Sequence, residues 1–324
     1  MSRFPAPRNV KLPSSDITLS VHELGTGPAV VFSHGFPELG YSWRYQLPAV
    51  ADAGFRAIAP DQRGYGGSSK PEAIEAYGIE ELTGDLVGLL DALDIEKAVF
   101  VGHDWGGIIV WAMPLLHPER TAGVVGLCTP YAPMPPTSMM RALVDGDDDR
   151  FYVCWFQKPG VAEEYLDARV RLLFERMMRG GVPVEQLLSR AFVDGKLDMN
   201  PFRRIDQMEP IGELVVNEEE LNHYVSVFEG TGFRGGINWY RNIDRNVRKH
   251  PEIGLTPVAV PSLMLTAEWD AALRPDMAGG MPAICADLEM HMIPKAGHWV
   301  QQECPREVNV RLIDWLQRRF ARES

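Results

Sequence analysis

Apolar positions in the first 130 residues follow two rhythms. Short, nearly unbroken runs at Ala29 to Ser33 (A-V-V-F-S), Arg56 to Ala59, Lys97 to Gly102 (K-A-V-F-V-G) and Ala122 to Cys128 (A-G-V-V-G-L-C) predict strands buried on both faces. Between them, Glu80 to Leu93 repeats leucines at helical spacing, and Ile108 to Leu116 predicts a second apolar helix ending near Pro118. Strand, helix and strand in alternation predict an α/β fold with a mostly parallel central sheet flanked by helices.

The alternation stops near Pro130. From there to about Pro251 the chain is rich in aromatic residues and methionine, and helices are expected over 162–179, 184–192 and 218–228, with no buried strand. Strand patterning returns at Ser262 to Thr266 and Leu288 to Ile293, and an amphipathic helix over Pro305 to Phe320 closes the chain, with Val308, Leu312, Trp315 and Leu316 as its apolar stripe. The expected organisation is a core of residues 1–131 and 251–324 interrupted by an inserted helical cap, 132–250.

Composition narrows the function. The 324 residues carry 32 Lys plus Arg against 44 Asp plus Glu, a formal charge of −12 that argues against nucleic acid or an anionic membrane as partner. No apolar run is long enough for a membrane span, and Met1 to Pro13 has no apolar core of a signal peptide, so a soluble, cytoplasmic protein is expected. Cys128, Cys154, Cys285 and Cys304 are scattered, so no metal or disulfide is expected.

The chemistry concentrates in three turns. After the strand ending at Val101 comes G-H-D-W-G-G, Gly102 to Gly107, then an apolar helix: the strand, sharp turn and helix of a nucleophile elbow, with Asp104 at the nucleophile position. An ordinary helix N-cap is the plain alternative. A helix N-terminus should keep Asp104 ionised. A carboxylate suits displacement at saturated carbon, giving an alkyl ester that water then cleaves.

H-G-F-P-E, His34 to Glu38, follows a neighbouring strand and offers the Phe36 amide, with that of Trp105, as an oxyanion hole. Pro37 raises the question of a cis bond after Phe36. A-G-H-W places His298 after the last strand as candidate general base, while His34 and His103 read as structural. T-A-E-W-D supplies the orienting acid, with Asp270 favoured over Glu268 because it lies farther out on the loop.

With these blocks placed, and with D-Q-R-G-Y-G-G-S at Asp61 to Ser68, the chain resembles the soluble epoxide hydrolases of the α/β-hydrolase superfamily nearly from end to end. The resemblance implies an α/β-hydrolase fold and two cap tyrosines that bind the epoxide oxygen, which the matching segments give as Tyr152 and Tyr240. It implies a small-molecule epoxide and water as partners and no cofactor. A homodimer is left open. Two departures bear on substrate preference: Val247 and Arg248 follow Asn246 where relatives often carry tryptophan, and Leu39-Gly40 follow the first motif where a serine and an aromatic residue are common. A haloalkane or haloacid dehalogenase shares the aspartate nucleophile and the His–acid pair, and a non-catalytic ligand-binding protein shares the fold. The tyrosine pair and the complete Asp104, Asp270 and His298 set weigh against both.

Overall fold

The computed structural model describes residues 4–321. Its centre is an eight-stranded sheet built from β1 (Arg8–Lys11), β2 (Thr18–Leu24), β3 (Ala29–Ser33), β4 (Arg56–Asp61), β5 (Ala98–His103), β6 (Thr121–Leu127), β7 (Ser262–Ala267) and β8 (Leu288–Ile293). The order is β1-β2-β4-β3-β5-β6-β7-β8. Every pairing from β4 onward is parallel, while β2 runs antiparallel to both β1 and β4.

Alternate strand residues serve opposite faces. Val30, Phe32, Val99, Val101, Leu263 and Leu265 pack with Val308, Leu312 and Trp315. Their neighbours Val31, Phe100, Val124 and Met264 join the other core. Covering both faces explains why these strands are continuously apolar rather than alternating. Helices α1 (Gln46–Asp52), α2 (Ile79–Ala92) and α3 (Trp105–Leu116) lie in the first part of the chain.

Between β6 and β7 the chain forms α4 (Thr137–Ala142), α5 (Tyr152–Trp155), α6 (Val161–Asp167), α7 (Val170–Met177), α8 (Val184–Ser189), α9 (Glu218–Thr231), α10 (Arg234–Arg241) and α11 (Ile243–Lys249). The expected single helix over 162–179 is therefore two. It breaks after Asp167, whose carboxylate accepts the Phe233 amide at 2.9 Å and so ties this corner to the start of α10. The helix expected over 184–192 stops at Ser189, and Phe192–Val193 pairs with Lys196–Leu197. A second short ladder pairs Arg179–Gly180 with Glu213–Leu214, and both ladders are two residues long and largely exposed or half-buried, in keeping with the expected lack of a buried strand here. After β8 come α12 (Val300–Glu303) and α13 (Pro305–Phe320), the latter over its expected span.

No helix among the described residues is long and apolar enough to cross a membrane. The described residues also hold no group of three or more His, Cys, Asp or Glu side chains placed to bind a metal ion.

Candidate active site

Asp104 sits between β5 and α3 with φ 52° and ψ −123°. This left-handed backbone is costly for a residue with a side chain and is held by its surroundings. The glycines around it permit the close approach: a Cβ on Gly102 would strike the Gly106 carbonyl, and one on Gly106 would strike that of Ser33. The side chain does not cap α3, contrary to the N-cap alternative. Instead Oδ1 accepts the Phe36 amide at 2.8 Å, and the Trp105 amide also bonds the carboxylate. Both predicted oxyanion donors thus converge on one group. The Phe36–Pro37 bond is cis.

The expected electrostatic effect on Asp104 is outweighed. Burial pushes its carboxyl above the ordinary value, while His298, His103 and the two amides pull the other way.

His298 Nε2 stands 3.8 Å from Asp104 Oδ2, and its Nδ1 stands 2.9 Å from Asp270 Oδ2. Asp270 is fully buried, and its Oδ1 accepts the amides of Ala272 and Leu273 at 2.8 and 2.9 Å. Burial would raise this carboxyl, but the charge and hydrogen bond of His298, with those amides, hold it below the ordinary range. Burial would lower His298, but Asp270 and then Asp104 lift it to about 9. Glu268 is exposed and accepts the Lys295 amide at 2.7 Å, so it does not reach His298.

Tyr152 and Tyr240 meet edge to face, with ring centroids 5.7 Å apart. The Trp105 ring meets Tyr240 edge to face, with centroids 5.1 Å apart. Burial, reinforced by nearby negative charge, raises both phenols well above their ordinary value, so both stay protonated at neutral pH. Phe36, Phe156 and Phe202 pack around the pair. The helix carrying Tyr240 seats directly on the core, since a Cβ on Gly235 would strike the Gly64 carbonyl.

Behind Trp105 lies a cavity of about 60 Å³, lined by Ile79, Ile108, Met134, Ile243, Asn246 and Val247. Val247 therefore borders the space beside Trp105. Leu39, by contrast, is fully buried, and Gly40 donates its amide to Asp61 Oδ1 at 2.9 Å, so that departure lies in the core.

Sequence reasoning gave no role to Glu38 or Glu303. Glu38 is fully buried and accepts from the Gly35 amide, His103 Nδ1, Gln301 and Gln302. Burial opposes ionisation, yet His103, His34 and the Gly35 amide bring Glu38 down to about 2. His103 Nε2 reaches the His298 carbonyl at 2.7 Å, so this buried pair links the oxyanion loop to the His298 loop. The acid closing H-G-F-P-E was the available signal. His34 points away from the reaction, with Nδ1 2.9 Å from the Gly35 carbonyl and Nε2 accepting the Gln62 amide.

A profile of the alpha/beta hydrolase fold matches residues 28–305. The chain is 43% identical to epoxide hydrolase A of Mycobacterium tuberculosis (strain ATCC 25618 / H37Rv), over 96% of this chain and 98% of that protein. It is 40% identical to bifunctional epoxide hydrolase 2 of Mus musculus, covering 93% of this chain and 54% of the mouse protein. The crystal structure of epoxide hydrolase A from Mycobacterium thermoresistibile superposes with a TM-score of 0.86 at 42% identity, over 97% of this chain and 98% of that one. This chain belongs to the alpha/beta hydrolase fold family, among its epoxide hydrolases.

Proposed function

We propose that this epoxide hydrolase opens its substrate through an ester on Asp104. Oδ1 of Asp104 is bound by an amide, which leaves Oδ2, on the His298 side, to attack the less hindered rear of an epoxide carbon. The carbon–oxygen bond of the ring breaks as the new ester bond forms. Tyr152 and Tyr240 donate to the departing oxygen, and one of them supplies its proton. Segment 132–250 serves as the cap that brings these phenols over Asp104.

The ester removes the Asp104 charge, and with it part of what lifts His298, so the imidazole becomes free to take a proton from water. That water attacks the ester carbonyl, whose oxygen already lies on the Phe36 amide, with the Trp105 amide beside it. Asp270 holds the imidazolium until the intermediate collapses, when the bond to Oδ2 breaks, the imidazolium gives its proton to the departing oxygen to release the vicinal diol, and the second proton of the water restores the phenol.

The observation that carries the reading is the phenol pair beside the Asp104, His298 and Asp270 set. The same phenol pair, a donor set suited to a departing alkoxide, disfavours dehalogenation. The test compares turnover of styrene oxide with that of 1-bromobutane by product analysis. Diol from the first and no bromide from the second is expected; bromide release with no diol would reverse the assignment.

A further inference from the structure

Glu303, the last residue of α12, reaches back to the loop that carries His298. Its Oε2 accepts the Gly297 amide at 2.9 Å and its Oε1 accepts the Trp299 amide at 3.1 Å. One carboxylate therefore grips the backbone immediately before and after His298. The carbonyl between those amides is held from the other side by His103 Nε2 at 2.7 Å and the Cys128 thiol at 3.5 Å.

The same carboxylate reaches the inserted helical segment. Oε2 also accepts the Gly181 amide at 3.3 Å, and Gly180 lies so near that a Cβ there would overlap the Glu303 carboxylate. The Trp299 indole adds a second tie, donating to the Met177 carbonyl at 2.7 Å. Three amides converge on two acceptor oxygens, an arrangement that a carboxylate satisfies and a carboxamide, with one acceptor oxygen and two donor hydrogens, does not.

We propose that Glu303 is a positioning residue that sets the imidazole of His298 for ester hydrolysis and, through Gly181, ties that placement to the seating of the cap. The role rests on reading His298 as the base. It touches neither the epoxide nor the phenols, so it bears on the second half-reaction and not the first. Misplacing a catalytic group by about 1 Å costs on the order of 100-fold, which makes such a backbone clamp kinetically visible.

The test uses the full chain with styrene oxide and rapid-quench intact-protein mass spectrometry, following formation and decay of the Asp104 adduct separately. In Glu303→Gln, adduct formation should stay within about 2-fold of the unsubstituted enzyme while decay slows about 100-fold, so that the adduct accumulates at steady state. Gly180→Ala keeps the carboxylate but displaces it, and should shift decay in the same direction even if Glu303→Gln fails to fold. In a His298→Gln background, Glu303→Gln should slow decay no further, because the clamp acts only through the base.

Equal losses in both half-reactions would show a general structural role and overturn the proposal. Unchanged decay in Gly180→Ala and Glu303→Gln would do the same. Absence of any Asp104 adduct in His298→Gln, where decay is blocked, would overturn the ester mechanism, and this role with it.

Discussion

The Phe36 amide lies 2.8 Å from Oδ1 of Asp104, so the resting carboxylate already occupies the site where the proposed mechanism places negative charge during ester hydrolysis. On the proposed mechanism Oδ1 stays in this cradle as the ester carbonyl, and Oδ2 is the oxygen that bonds to carbon.

That assignment fixes the fate of each oxygen. A single turnover in ¹⁸O-water should release diol without label and leave one ¹⁸O on Asp104, because water attacks the ester carbonyl and Oδ2 departs with the product. Peptide mass spectrometry reads the label. Label in the first-turnover diol would mean that water attacks the epoxide carbon directly.

The proposed mechanism has the phenols act on ring opening alone. Tyr152→Phe and Tyr240→Phe should each slow adduct formation by about 100-fold, the usual effect of losing one donor to a developing oxyanion, and leave adduct decay nearly unchanged. The double substitution should lose ring opening altogether. Rapid-quench kinetics separates the steps, and equal slowing of decay would argue that the pair serves packing.

The basicity of His298 should follow the charge on Asp104. His298 is lifted to about 9 by Asp270 first and Asp104 second, so Asp104→Asn should lower its pKa and Asp270→Asn should lower it further. The sign for stability follows. A raised imidazole stabilises the fold fully below its unfolded value of about 6.5, and that contribution is lost as pH rises through 9. Imidazole NMR titration of the three proteins checks the order, and an unchanged value in Asp104→Asn would contradict it.

Much of this was legible before any coordinates. β3 and α13 occupy their expected spans because burial on both faces, or one clean apolar stripe, leaves a strong periodic signal. β8 also spans its expected residues, although only Ile293 of this edge strand is buried. β1 carries almost no such signal, since only Val10 of its four residues is buried and its order comes from pairing with β2. α3 begins at Trp105, three residues before its apolar run, because the turn at Asp104 starts the helix. In the inserted segment the break after Asp167 depends on the distant Phe233 amide, which no local pattern encodes.

The same distinction runs through the site. Asp104, His298 and Asp270 stand at strand ends where motif and chain order mark them. Tyr152 and Tyr240 needed the family resemblance, since tyrosines in an aromatic-rich segment look like packing. Glu38 and Glu303 each bond a nearby backbone amide, but their ties to His103 and to Gly181 join segments far apart in sequence, and spacing cannot reveal those bonds.

The most direct test of the account is intact-protein and peptide mass spectrometry of His298→Gln incubated with styrene oxide. Without its base the enzyme should open the epoxide and stall, giving a stable adduct of the substrate's mass on the peptide that contains Asp104. No adduct, or an adduct on another residue, would contradict the central claim that Asp104 is the nucleophile.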